Sequence, residues 1–317
     1  MSISSLATLG GIRMQAQMRS DLEGSGNVST PEWNQYISLS YKRLYDKLIA
    51  AYGNEYSVKA PYQFSITSTQ LYALPSDFYK LLGVDLQYSA TPTGWVTLKR
   101  MNFIDRNKWS WLNPVPISAN LAQLWYIPTP TDLQFMPVCS TTSGTSVISM
   151  ADASDIVVGM NCSSGATNTT VAPGATVISV NTSSTPNTVT ISSNVSATNA
   201  QIILFFWSDS TMFAGISGWE EWVIIDAAIK AQIKQERPID ELESQRNSMT
   251  TDIESMAEGR DAGQAMHVSD ALSVNTPIIS LGASNLRYYL LGNQIMFIPS
   301  GYDEEGGYGG GSYGSGF

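Results

Sequence analysis

The sequence predicts an α+β protein: a helical bundle with an attached antiparallel β layer, an all-β insert and an extended C-terminal arm. Three observations carry this. Residues 30–52 and 219–262 repeat apolar residues at helical spacing. Between residues 62 and 127 short runs alternate apolar and polar residues, as half-buried strands do. From 156 to 208 no residue is charged, yet apolar residues keep alternating with Ser, Thr and Asn.

The first helix is expected from Ile3, Leu6, Leu9 and Met14, weakened at Gly10-Gly11 by about 1 kcal/mol per glycine and ended by Gly24-Ser25-Gly26-Asn27. The second has a clear start: Ser29 and Thr30 as N-caps, Pro31 in the first turn and Glu32 placed as in a capping box. Trp33, Tyr36, Ile37, Tyr41, Leu44, Leu48 and Ile49 form its apolar face, and Gly53 stops it. Tyr62, Phe64 and Ile66 then alternate as a strand. Pro75 breaks the chain before a strand over Lys80–Leu86. Trp95–Leu98 and Leu121–Ile127 are further strands, and Phe103–Trp111 is a short helix.

The insert, residues 133–207, reads as short strands at Val147-Ile148, Ile156–Val158, Val171, Val177–Val180 and Val189–Ile191, with Ile202–Trp207 closing it. Turns at Pro173-Gly174 and Thr185-Pro186-Asn187 separate them, which suits a small sandwich or barrel. After it, Trp219, Trp222, Val223, Ile225, Ile229 and Ile233 make one buried helical face, with Glu220 and Glu221 at the positive end of the helix dipole. Pro238 starts the next helix, striped by Leu242, Met249, Ile253 and Met256. Leu286–Leu290 and Gln294–Ile298 flank Leu291-Gly292-Asn293 as a hairpin. Residues 301–317 have the Gly/Tyr/Ser composition of a linker. The expected organisation is 1–132 and 208–267 as one scaffold, 133–207 inserted into it, and 268–317 as the arm.

Composition narrows the chemistry. Of 317 residues only 14% are charged, against about 25% in an ordinary domain. The net charge of −10 disfavours a phosphate-binding surface of the usual basic kind. One histidine, His267, and two cysteines, Cys139 and Cys162, cannot build a Cys/His zinc site, so no metal and no cofactor is expected. Whether the cysteines pair is left open by their number. Gly310-Gly311-Ser312-Tyr313-Gly314 matches a nucleophile-elbow pattern but lies in the Gly-rich tail, without strand or helix. Glu220 and Glu221 are adjacent on a helix and diverge, unlike a glycosidase pair. No apolar h-region follows Met1, and Ile202–Trp207, the longest apolar run, is too short for a bilayer. A non-enzymatic protein outside membranes is the expectation.

The chain resembles the head-to-tail adaptor proteins of tailed bacteriophages. The segments that carry the resemblance are Tyr36–Ser40, Leu44–Leu48, Tyr72–Asp85, Leu124–Pro128 and Gly218–Ala228, in that order. In that family a Tyr-rich strand, a Gly-Asn turn and a strand ending in proline precede the Tyr-Ile-Pro strand; here the counterpart, Tyr288–Pro299, lies toward the C-terminus. The insert looks like the immunoglobulin-like modules that decorate phage structural proteins.

The resemblance implies a ring, commonly dodecameric, beneath the portal in the virion at the head–tail junction, made in the host cytoplasm. Its partners are the portal, a tail or nozzle protein, its own copies, and DNA that passes the lumen without specific binding. On that reading Tyr302, Tyr308, Tyr313 and Phe317 dock on the portal, and Trp33, Tyr41, Trp219 and Trp222 pack between subunits. Two alternatives compete: a glycan- or envelope-binding surface on the insert, and a peptidoglycan-cleaving activity using Glu220.

Overall fold

A computed structural model describes residues 7–53, 57–66, 71–90, 93–100, 121–165, 168–213, 216, 218–261, 286–291 and 294–299. They form a mixed α+β fold in which antiparallel pairing dominates. In chain order the elements are α1 (Leu9–Arg19), α2 (Thr30–Tyr52), β1 (Tyr62–Ser65), β2 (Leu71–Ala73), β3 (Phe78–Ala90), β4 (Thr93–Thr97), β5 (Lys99–Arg100) and β6 (Leu121–Pro128). Next come β7 (Gln134–Phe135), β8 (Val138–Thr141), β9 (Val147–Met150), β10 (Asn161–Ser163), β11 (Ala175–Asn181), β12 (Asn187–Ile191), β13 (Asn199–Ile203) and β14 (Phe205–Trp207). Last are α3 (Glu220–Lys234), α4 (Asp240–Asp261), β15 (Leu286–Leu291) and β16 (Gln294–Pro299). The described residues within 1–56 and 130–263 form one compact unit, and those within 57–129 and 264–317 form a second.

In the first unit the four helices share a core of Ile12, Trp33, Ile37, Tyr41, Leu44, Trp222, Val223, Ala227 and Ile253. The apolar stripe of α2 faces inward as its spacing requires. Trp33, Tyr41 and Trp222 are no more than 1% exposed, so they are core residues of their own chain. Trp219 is half-buried at the edge of this core. Two further side chains depart from the pattern. Ile233 and Met256 are exposed, at 56% and 60%, because they lie at the outer limits of stripes whose centres, Ile229 and Ile253, are buried. On α1 the buried residues are Leu9, Ile12 and Ala16, while Met14 faces out.

The β module in this unit has the strand order β13-β8-β9-β12-β11-β10-β14-β7. It encloses a separate core that includes Cys139, Ile148, Val177, Val189, Leu204 and Phe206. Ile156–Val158 and Val171 are not strands: Val157 and Val158 sit exposed in turns, and Val171 enters the core from a loop. Ile202–Trp207 is two strands broken at Leu204, since β13 pairs with β8 whereas β14 pairs with β10 and β7. Cys139 and Cys162 are both free and buried, and burial pushes each thiol up to about 12.

The module is rooted in the bundle. Leu133 and Trp207, at its two ends, belong to the helical core. Asp209 takes Arg13 at 2.9 Å and the Trp207 indole N–H at 3.1 Å, and Asp132 takes Lys42 at 2.6 Å. Gly10 donates its N–H to the Asp209 carbonyl, and a Cβ at this position would stand 3.1 Å from Asp209 Cβ. The glycine that weakens α1 is thus what lets the returning strand approach.

The second unit contains two four-stranded sheets, β1-β6-β3-β4 and β2-β16-β15-β5. The first is antiparallel throughout, with Val84, Leu86, Ala122, Leu124 and Tyr126 in its core. In the second the predicted hairpin is present as β15–β16, flanked by β2 (antiparallel) and β5 (parallel). The expected helix at Phe103–Trp111 and the Gly292-Asn293 turn residues lie outside the described residues.

Candidate functional site

The segments singled out in the sequence meet in two places. In the first unit, Asp226 of α3 is 1% exposed. Its carboxylate accepts hydrogen bonds from Ser40 Oγ at 2.8 Å, Lys230 Nζ at 2.5 Å and Arg246 Nη1 at 3.0 Å, with Arg43 Nη1 at 3.7 Å. Three helices are joined through one carboxylate: Ser40 and Arg43 come from α2, Lys230 from α3 and Arg246 from α4. Burial alone would raise the Asp226 carboxyl; the bond and charge of Lys230, then Ser40 and Arg246, outweigh it and hold it below the usual range. Lys230 is also lowered, by burial first and then by Arg43 and Arg246, against the pull of Asp226. Such a buried cluster holds geometry more than it adds stability, because desolvation offsets the attraction.

In the second unit two carboxylates of the Tyr72–Asp85 segment take donors from the Leu124–Pro128 segment. Tyr126 donates its hydroxyl to Asp77 Oδ1 at 2.9 Å, and Trp125 Nε1 donates to Asp85 Oδ2 at 2.7 Å. Lys59 Nζ adds a bond to Asp77 Oδ2 at 2.5 Å, and Phe78 stacks on Tyr126 with ring centroids 5.9 Å apart. The backbone pairs the same segments, with Phe78 opposite Pro128 and Leu81 opposite Tyr126. Burial raises Asp77, but the bonds from Lys59 and Tyr126 outweigh this and lower it. The segments stand out in the sequence; Asp226, Ser40 and Asp77 do not stand out as functional positions, because nothing local marks which carboxylate will be buried.

Two other surfaces bear on the alternatives. A cleft of about 470 Å³ is lined by Gln15, Arg19, Glu220, Glu221 and Ile224, among others. Within it Glu220 accepts the Gly218 N–H at 2.9 Å, and Glu221 pairs with Arg19. Both carboxylates thus tie down the start of α3. On the β module, Ser140, Ser149, Thr188 and Asn181 stand in one register row across β8, β9, β12 and β11. Their neighbours Cys139, Met150 and Val189 point into the core, so the row faces outward and is uncharged. Tyr302, Tyr308, Tyr313, Phe317 and His267 lie outside the described residues.

No described helix is long and apolar enough to cross a membrane. No protein-family model matches the sequence, and no curated protein matches it.

Proposed function

We propose that the protein is a structural component of a phage virion, a ring-forming adaptor between the portal and the tail that completes the head and passes DNA through its lumen. The observation that carries this reading is the pairing just described. The segments resembling adaptors are remote in sequence, yet they contact one another through Ser40–Asp226 and through Asp77–Tyr126 and Asp85–Trp125. On this reading the β module, which has its own core, is an immunoglobulin-like sandwich. The arm beyond residue 268 docks on the portal through Tyr302, Tyr308, Tyr313 and Phe317, aromatic anchors in a small-residue tail. The net charge of −10 suits a wall along which DNA slides. Deleting residues 301–317 is the test: the truncated protein should stay folded and lose portal binding, and undiminished capping of portal-bearing heads would refute the docking.

One observation favours a second reading, a surface-binding module for a neutral glycan or host envelope. It is the outward row of Ser140, Ser149, Thr188 and Asn181, which offers hydroxyl and amide groups without charge. A glycan array probed with the full chain decides it: specific binding lost in Thr188→Val supports this reading, and no binding removes it.

A further inference from the structure

The sheet β1-β6-β3-β4 turns one face into the core of its unit, marked by Val84, Leu86, Ala122 and Leu124. Side chains alternate along each strand, so their neighbours lie on the other face. There Gln63, Gln123, Asp85 and Thr97 are register partners and form one row across all four strands. The row is hydrogen-bonded along its length. Gln63 Nε2 donates to Gln123 Oε1 at 3.4 Å, and Gln123 Nε2 donates to Asp85 Oδ2 at 3.0 Å. Trp125 Nε1 donates to the same oxygen at 2.7 Å, so among the described residues Asp85 Oδ1 takes no donor. Asp85 and Trp125 are half-buried and keep part of their surface on this face.

Gly83 lies opposite Trp125, inside β3. The register shifts beside it, but its φ is not positive, so the backbone does not demand glycine there. Among the described residues no atom stands within 4 Å of where its Cβ would be, so packing does not demand glycine either. The result is an open notch beside the Trp125 indole and the Asp85 carboxylate. A glycine inside a strand marks a place where another molecule comes close. Farther along the face Gln87 and Trp95 are register partners, both half-buried, and among the described residues the Gln87 amide makes no hydrogen bond.

We propose that this face binds a neutral oligosaccharide, centred on the notch at Gly83. The chemistry selects the class. An unpaired carboxylate oxygen accepts from hydroxyls, and a primary amide both accepts and donates, which matches a ligand made of hydroxyls. An indole beside them offers an apolar face to the C–H side of a sugar ring. The row holds one carboxylate and no cation, so it repels a phosphate-bearing ligand. Gly83 and Gln87 are four residues apart, about 13 Å along the strand, so the face suits a chain of sugars more than a single one. The site is independent of the proposed ring and is separate from the Ser140 row of the β module.

A neutral-glycan array probed with the full chain, followed by titration calorimetry with the tightest oligosaccharide found on it, tests this. Thr188→Val should bind as the wild type does. Gly83→Phe, which fills the notch, should weaken binding about tenfold or more. Gln87→Ala removes no side-chain bond of the fold and should weaken binding in the same direction, so it serves as the test should Gly83→Phe fold poorly. Absence of binding to every neutral glycan overturns the proposal. So does binding that Gly83→Phe and Gln87→Ala leave unchanged, and loss in Thr188→Val alone would move the site to the β module.

Discussion

Within the first unit, the helical bundle and the β module bury their polar groups by different means. In the bundle one carboxylate, Asp226, sits among Lys230, Arg246 and Arg43, all within 4 Å. In the module no residue from 156 to 208 is charged; some of its buried polar groups are met by backbone and hydroxyls, while among the described residues Gln134 and Ser193 Oγ have no partner. Thr141 Oγ1 donates to the Ala197 carbonyl at 3.0 Å, and Ser164 Oγ to the Asn168 carbonyl at 2.5 Å. An ionic joint fixes helix against helix but responds to pH. The module keeps its two carboxylates, Asp152 and Asp155, exposed and outside its core, so its packing depends less on pH and salt.

Asp226→Ala should have the largest effect on this contrast. It leaves Lys230 buried without a counter-charge and Arg246 with only the partly exposed Glu243, and should cost about 3–5 kcal/mol. Urea unfolding measures the loss. Hydrogen exchange should place it in α2–α4 and leave β8, β9 and β12 protected. Leu204→Ala is the counterpart in the module: Leu204 is fully buried at the β13–β14 corner, and the cavity should cost about 3 kcal/mol, with exchange raised in the module instead. Arg13→Ala, at the join, removes the ion pair to Asp209 and the bond to Asn34, and should cost about 1.5 kcal/mol, with exchange raised on both sides. Lys42→Ala cuts an exposed pair at the other root and should cost at most about 1 kcal/mol, vanishing in high salt.

Acid should also separate the two regions. The folded carboxyl of Asp226 is held below its unfolded value, so its contribution is complete above about pH 4 and is lost as pH falls through the folded value. The bundle should therefore open first on acid titration, seen as helical circular dichroism lost while β8–β12 amides stay protected. Simultaneous loss would show that Asp226 is not what makes the bundle acid-sensitive.

Much of this fold was legible in the sequence where local signals sufficed. Thr30–Tyr52 follows from Pro31, the aromatic stripe and Gly53. The hairpin follows from its two apolar runs around Gly292-Asn293. Legibility failed where a distant partner decides. Gly10 reads as a helix breaker until Asp209 is seen against it. Val157 and Val158 read as strand because they are β-branched, yet turns leave them exposed. The division of Ile202–Trp207 at Leu204 depends on which strands lie on either side. In the candidate sites the segments were readable, and the buried carboxylates within them were not.

A ring that binds a portal is the central proposal. Its decisive test is electron microscopy of the purified full chain, alone and mixed with its portal. Closed rings seated on the portal are expected in the mixture. Single chains in both samples, with a bare portal, would contradict the proposal.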